Sequence, residues 1–256
     1  MRTQDGTGGA GPPSGPTALL TFPGVAEQIE RVQQAAADLA RHPVNRRGWP
    51  RTAAAASIRA ARASSLLDGG SGDLTGATVQ DPVLAGALRV AAEQGALATV
   101  WRRAPLQALA RMHALAAADL APAESLGRPR ADPGVQVRLR RLADLVAART
   151  VPAPVLVAVV HGELLACEPF GTVDGVVARA AARVAGIAAD LDPKGLAVPE
   201  SGQLARRTEY AAAAAGWRAG TSVGVARWLS VVTQAWLDGA REGTAIADAL
   251  AGASSS

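Results

Sequence analysis

Two carboxylates and two glycines lie within one short stretch, residues 168–179, whose sequence is EPFGTVDGVVAR. Glu168 could act as a general base, because burial can tune a carboxyl group toward a neutral pKa. Asp174 and Gly175 stand where a turn leads into an amphipathic run that carries Arg179. Free backbone N–H groups at a helix N-terminus bind phosphate, so the turn has the form of a phosphate-binding loop. Glu168 and Asp174 also allow a carboxylate pair of the kind that hydrolases use, although their spacing across a turn fixes no geometry.

This stretch resembles the signature of the Fic (Fido) family, HPFx(D/E)GNGRxxR. The positions that match are Pro169, Phe170, Gly175 and Arg179, and His161 precedes the motif where the family often has a histidine. The positions that depart are Glu168 for the catalytic histidine, Thr172 for the metal-holding acidic residue, Val173 for the first glycine, Asp174 for the asparagine and Val176 for the phosphate-binding arginine. In the family the histidine is the base for transfer of AMP to a protein hydroxyl. The resemblance implies the family's helical fold and a site that has lost most groups that touch nucleotide or metal.

These losses predict that the turn does not bind a nucleotide triphosphate in the family's manner. Val176 offers no charge-assisted hydrogen bond, and Asp174 places a carboxylate where an anion would lie. Two like unit charges about 4 Å apart repel by roughly 4 kcal/mol at an effective dielectric constant near 20. We therefore expect no cofactor, and we expect ATP and magnesium only if the chain is an active enzyme. The sequence has one cysteine and three widely spaced histidines, which predicts no metal site.

A second stretch, residues 64–69 with the sequence SSLLDG, resembles the inhibitory motif (S/T)xxxE(G/N) of the same family. There the glutamate pairs with the last arginine of the active-site motif and blocks productive nucleotide binding. The resemblance implies a pair between Asp68 and Arg179, either inhibitory or structural. The alternative interpretation is that SSLLDG is the C-cap of a helix.

Helical spacing of apolar residues, interrupted by proline and glycine, predicts an all-α fold without alternating strand patterns. The predicted helices cover residues 24–41, 52–68, 82–101, 105–120, 135–148, 155–167 and 174–187, with two or three more helices to the C-terminus that carry Trp217, Trp228 and Trp236 in the core. Residues 121–134 form a loop or short hairpin, at the place of the family's target-docking flap. Residues 1–22 are rich in Gly, Pro and Ser, which predicts a disordered leader. We expect residues 23–252 to form a Fic/Fido-like helical domain and residues 253–256 to form a disordered tail.

Composition limits the partners and the location of the chain. Its sequence pI is about 10.4 but its formal net charge is only +4. Arginines alternate with acidic residues, so nucleic-acid binding is not expected. Lys194 is the one lysine, and the abundance of arginine and alanine is typical of a high-GC bacterium. The sequence shows no signal peptide and no apolar run long enough to cross a membrane, and Cys167 has no disulfide partner, so we expect a cytoplasmic location.

The functional prediction is a catalytically degenerate Fic/Fido-type protein that acts as a binding or regulatory pseudoenzyme and does not transfer AMP. Its partner is expected to be an unidentified protein, and a homo-oligomer is compatible with the sequence. The alternative is an enzyme of the same fold, either with residual AMP transferase activity or with altered chemistry that uses Glu168 and Asp174.

Overall fold

Helices form all of the regular structure in the part of the chain that the computed structural model describes, residues 15–75 and 78–253. The all-α prediction is therefore confirmed. The α-helices of these residues are α1 (Val25–Arg41), α2 (Trp49–Leu67), α3 (Pro82–Ala92), α4 (Gln94–Trp101), α5 (Pro105–Ala116), α6 (Pro133–Ala148), α7 (Ala153–Cys167), α8 (Asp174–Ala188), α9 (Pro199–Ala205), α10 (Arg207–Ala219) and α11 (Ser222–Ala253). Short 3-10 helices cover Gly15–Thr21, Pro43–Arg46 and Ala123–Ser125.

The pair α7 and α8 lies at the centre of the fold. Most residues of α7 are buried, because this helix is apolar on nearly every side and must be enclosed by other helices. Helices α1, α6, α10 and α11 pack against α7, and helices α2, α3, α4 and α5 pack against α8. The turn that joins α7 to α8 is therefore held at both ends by buried helices.

Tryptophan rings fill a core that otherwise consists mostly of Ala, Leu and Val. Trp217, Trp228 and Trp236 are all buried, as the sequence predicts. A Cβ atom at Gly162 of α7 would lie only 2.7 Å from the Trp217 ring, and one at Gly186 of α8 would lie 2.8 Å from the Trp236 ring. Glycine at these two positions lets the indoles pack directly on the backbone of the central helices.

The chain bends by 63° between α3 and α4, so the prediction of one helix over residues 82–101 is wrong. Glu93 leaves the helical path with φ −96° and ψ 7°, and its carboxylate accepts hydrogen bonds of 2.9 and 2.7 Å from Arg111 of α5. Glu93 thus pairs with α5 at the bend, at a position that holds neither proline nor glycine. In the described residues no single helix could cross a membrane, whereas α3 and α4 together have the length and composition to do so.

The predicted leader, residues 1–22, is ordered where the structure describes it. Gly15–Thr21 forms a 3-10 helix, and Leu19 and Phe22 pack on the hydrophobic core. The prediction of disorder is wrong for these residues because two apolar side chains tie the segment down, while residues 1–14 lie outside the described range. In the predicted tail, Ala253 still belongs to α11, and residues 254–256 lie outside the described range.

Candidate functional site

The turn between α7 and α8 uses left-handed backbone conformations. Glu168 (φ 44°), Gly171 (φ 73°) and Val173 (φ 47°) all have positive φ, which costs a non-glycine residue roughly 1 to 3 kcal/mol. Val173 is the N-cap of α8, and its side chain makes no capping hydrogen bond. The N–H groups of the turn and of the first turn of α8 must therefore find acceptors elsewhere.

Asp174, the first residue of α8, supplies acceptors for the turn. Its carboxylate accepts hydrogen bonds from the backbone N–H of Phe170 at 2.9 Å and of Gly171 at 2.7 Å. Burial raises the pKa of the Asp174 carboxyl above its ordinary value, and the two backbone hydrogen bonds oppose that shift because they favour the charged form. The Asp174 carboxylate thus accepts hydrogen bonds from two N–H groups that, in a phosphate-binding loop, would donate to a bound anion.

Asp68, the C-cap of α2, supplies the acceptor for the first turn of α8. One carboxylate oxygen accepts the N–H of Val176 at 2.9 Å, and the other accepts a guanidinium N–H of Arg179 at 2.5 Å. A Cβ atom at Gly175 would lie 2.3 Å from the carboxylate, so Asp68 lies directly on the glycine backbone. A carboxylate of the chain itself therefore lies at the N-terminus of α8, where the free N–H groups and the helix dipole favour an anion.

Arg179 is held inside the protein rather than in the turn. Its side chain is 3% exposed, and it donates to the Ser64 hydroxyl at 2.8 Å and to the Ser64 carbonyl at 3.0 Å. The Tyr210 hydroxyl is buried and lies 2.8 Å from Nε2 of His161. Burial and the charge of Arg179 lower the pKa of His161 to about 3, so His161 is neutral and is not placed to act as a base in the turn.

Glu168, at the position of the family's catalytic histidine, points to the surface. Its side chain is 57% exposed and forms a 2.7 Å ion pair with Arg218 of α10. Arg218 also donates to the carbonyl of Leu165 at 2.7 Å, which fixes it over the end of α7.

One open pocket of about 560 Å³ adjoins these groups. Three carboxylates line it together with one guanidinium and small or apolar residues of α7 and α10; the charged residues are Asp68, Glu168, Asp174 and Arg218. The structure thus brings Asp68, Glu168, Asp174 and Gly175 to one pocket, whereas Arg179 lies behind Asp68 and does not line it.

The loop at residues 121–134 docks on the turn through Arg130, which sequence reasoning missed. The backbone N–H of Arg130 donates to the carbonyl of Pro169 at 2.8 Å. Its guanidinium donates to the carbonyls of Glu168 at 2.9 Å and Cys167 at 2.8 Å, which caps the C-terminus of α7. The loop holds no strand, so of the two predicted forms, loop or hairpin, it has the first.

Val176 belongs to the core and not to the pocket. Its side chain is 2% exposed and lines a small pocket of about 30 Å³ together with Ala60, Ala87 and Val90. Thr172 does line the pocket, but its hydroxyl carries no charge for a metal ion. Among the described residues no group of three or more His, Cys, Asp or Glu side chains could hold a metal ion.

The fold is similar to that of a solved protein of the Fic family. A crystal structure of a Fic family protein from Desulfovibrio desulfuricans G20 superposes with a TM-score of 0.65 and 15% sequence identity, and the match covers 88% of this chain and 75% of that chain. No family model and no curated protein matches the sequence. At this identity the likeness establishes a Fic-type fold.

Proposed function

We propose that this chain, whose fold is of the Fic type, is a binding or regulatory protein that does not transfer AMP. One observation carries the proposal: the carboxylates of Asp68 and Asp174 accept the backbone N–H groups of Phe170, Gly171 and Val176. Those N–H groups are the part of a phosphate-binding turn that depends only on the backbone. The turn keeps the form of a phosphate-binding turn, but two carboxylates of the chain itself accept the hydrogen bonds that a phosphate would accept.

A nucleotide triphosphate with its magnesium ion does not fit the residues present. A phosphate at the N-terminus of α8 would have to displace Asp68 from Val176 and from Arg179, and so leave a buried guanidinium without its ion-pair partner. The pocket would add repulsion from Glu168 and Asp174, which also line it. We derive no catalytic step through nucleotide or metal.

The proposal predicts the outcome of a direct transfer assay. The purified chain is incubated with magnesium and ATP radiolabelled at the α-phosphate, both alone and with a cell lysate. We expect no label on the chain or on lysate proteins above the level found with the Glu168→Ala variant. Label that exceeds this control would mean that the site transfers AMP despite the substitutions.

A second candidate, an enzyme with different chemistry, draws on the raised pKa of Asp174 in a pocket that it shares with Glu168. A buried carboxyl with a raised pKa can act as a general acid. Hydrolysis of phosphate esters that is lost in both Glu168→Gln and Asp174→Asn would favour this candidate. A protein partner, self-association and a cytoplasmic location stay predictions from the sequence.

A further inference from the structure

A groove on the far side of α2 exposes large apolar side chains. It has a volume of about 560 Å³ and lies between the N-terminal half of α2, helices α3 and α4, and the segment 193–195; we call it the α2–α3 groove. Its walls include Trp49, Ala53, Ile58, Leu88 and Ala91. Trp49 is 39% exposed and Ile58 is 45% exposed, so two of the largest side chains of this surface face solvent.

Among the described residues that line this groove, the charged one is a lysine. No acidic residue lines it, and the ammonium group of Lys194, which does, donates to the backbone carbonyls of Ala40 and Asn45. The exposed side chains of Arg46, Arg47 and Arg51 lie at the N-terminal end of α2 and form no hydrogen bond or ion pair with any other residue that the structure describes.

One of these arginines, Arg51, shares a helix face with residues that line the groove. Arg51, Ala54 and Ile58 follow the spacing i, i+3, i+7 and therefore share a face of α2. Arg46 and Arg47 precede Gly48 and Trp49 in the chain. The first turn of α2 contains no acidic residue to offset these charges. Arg51 thus adds a positive charge on the face of α2 that carries two of the residues lining the groove, Ala54 and Ile58, and Arg46 and Arg47 precede that end of α2 in the chain.

We propose that the α2–α3 groove binds an acidic amphipathic helix of a protein partner. Grooves between two helices accept the apolar face of a third helix, with anchors at i, i+3, i+4 and i+7. Small residues on the floor, such as Ala53 and Ala91, leave space for leucine-sized anchors beside Trp49 and Ile58. Carboxylates that flank the anchors would pair with the unpaired guanidinium groups of Arg46, Arg47 and Arg51.

Nucleic acid fits this surface less well. A single-stranded nucleic acid needs a series of aromatic side chains on which successive bases stack, and Trp49 is the one aromatic residue among those that line the groove. The groove shares no lining residue with the pocket at the α7–α8 turn. Its occupant can therefore be tested without reference to AMP transfer.

The test uses a fluorescein-labelled synthetic peptide of about 18 residues, with Leu at i, i+3, i+4 and i+7 and Glu at the flanking positions. A peptide of the same composition with scrambled order is the control. By fluorescence anisotropy we expect the chain to bind the patterned peptide at least about tenfold more tightly than the scrambled one. Ile58→Glu and Arg51→Glu should each weaken this binding by at least about tenfold.

Matched control variants carry the same changes elsewhere on the surface. Val223 is 81% exposed on α11, and exposed Arg227 on the same helix forms no hydrogen bond or ion pair with another described residue. Val223→Glu and Arg227→Glu should leave peptide binding unchanged. All the substituted side chains are exposed, and circular dichroism verifies that each variant is folded.

Three outcomes would overturn the proposal. The first is equal binding of the two peptides, or binding that Ile58→Glu and Arg51→Glu do not weaken. The second is tighter binding of a single-stranded oligonucleotide than of the patterned peptide, lost in Arg51→Glu, which would assign the groove to nucleic acid. The third is a dimer, measured by light scattering, that Ile58→Glu dissociates, which would assign the groove to a second copy of the chain.

Discussion

Replacing Asp68 by alanine tests how the motif turn is held. The change removes the ion-pair partner of Arg179 and the acceptor of the Val176 N–H at the same time. Arg179 is 3% exposed, so its guanidinium is poorly placed to be solvated when the carboxylate is lost. The guanidinium keeps its hydrogen bonds to Ser64, which satisfy donors but leave the charge without a counter-charge.

The expected cost is about 3 to 4 kcal/mol of the free energy of unfolding. Breaking a buried ion pair by removal of one partner costs about 3 to 5 kcal/mol, and the 21% exposure of the Asp68 side chain places this pair at the lower end. The open pocket lets water reach the Val176 N–H, so its lost bond adds about 1 kcal/mol at most. The isosteric Asp68→Asn should cost less, about 1 to 3 kcal/mol, because it keeps one acceptor.

A double-mutant cycle separates the ion pair from other effects. Arg179→Met removes the buried charge and leaves Asp68 free to be solvated at the pocket. The double variant Asp68→Ala/Arg179→Met should therefore be less destabilised than the sum of the single variants, by about 1 to 3 kcal/mol. Chemical denaturation followed by circular dichroism measures each free energy of unfolding.

Glu168→Ala is the control, because it breaks an ion pair whose two side chains are 57% and 54% exposed. An exposed pair contributes under about 1 kcal/mol. If Asp68→Ala cost no more than Glu168→Ala, or if the double variant were strictly additive, the ion pair between α2 and α8 would not hold the turn as we describe.

Two further predictions concern buried positions. Val176→Arg, which restores the family's residue, should lower the free energy of unfolding by more than about 2 kcal/mol, because it forces a charge into a 30 Å³ pocket; an unchanged denaturation midpoint would contradict this. His161 has a folded pKa of about 3 against an ordinary 6.5, so the unfolded chain binds more protons and stability falls as the pH drops from 6.5 toward 3. The His161→Gln variant can keep a hydrogen bond to Tyr210. Between pH 6.5 and 3 its free energy of unfolding should fall less than that of the unmodified chain, by on the order of 5 kcal/mol in all. If the two free energies fell equally with pH in denaturation experiments, the prediction would be contradicted.

Helix positions follow from the sequence where proline, glycine and apolar spacing agree. Pro82 and Pro105 begin α3 and α5 as predicted, because proline is compatible with the first turn of a helix. The bend at Glu93 has no proline to signal it, and the ion pair that Glu93 forms there with Arg111 is a tertiary contact that local spacing does not reveal. The 3-10 helix Gly15–Thr21 was missed for a similar reason. Its few apolar side chains are ordered by contact with the core, and the composition of the segment does not reveal that contact.

In the site, too, contacts between residues distant in sequence could not be predicted from local patterns. Asp68 and Arg179 lie 111 residues apart in sequence, and their pairing came from a family resemblance and not from local pattern. Arg130 was missed because it binds backbone carbonyls, which leave no trace in the residue types around it. The burial of Val176 was also missed, because a motif aligns positions without stating which side chains face the core.

Titration of ATP and magnesium into the purified chain by calorimetry tests the central claim most directly. The claim is that the carboxylates of Asp68 and Asp174 accept the hydrogen bonds of the N–H groups that would otherwise bind an anion at the turn. It predicts no binding of ATP to the unmodified chain at millimolar concentration, and measurable binding to the Asp68→Ala/Asp174→Asn variant, in which two negative charges are removed. Binding of ATP to the unmodified chain with a micromolar Kd would contradict it.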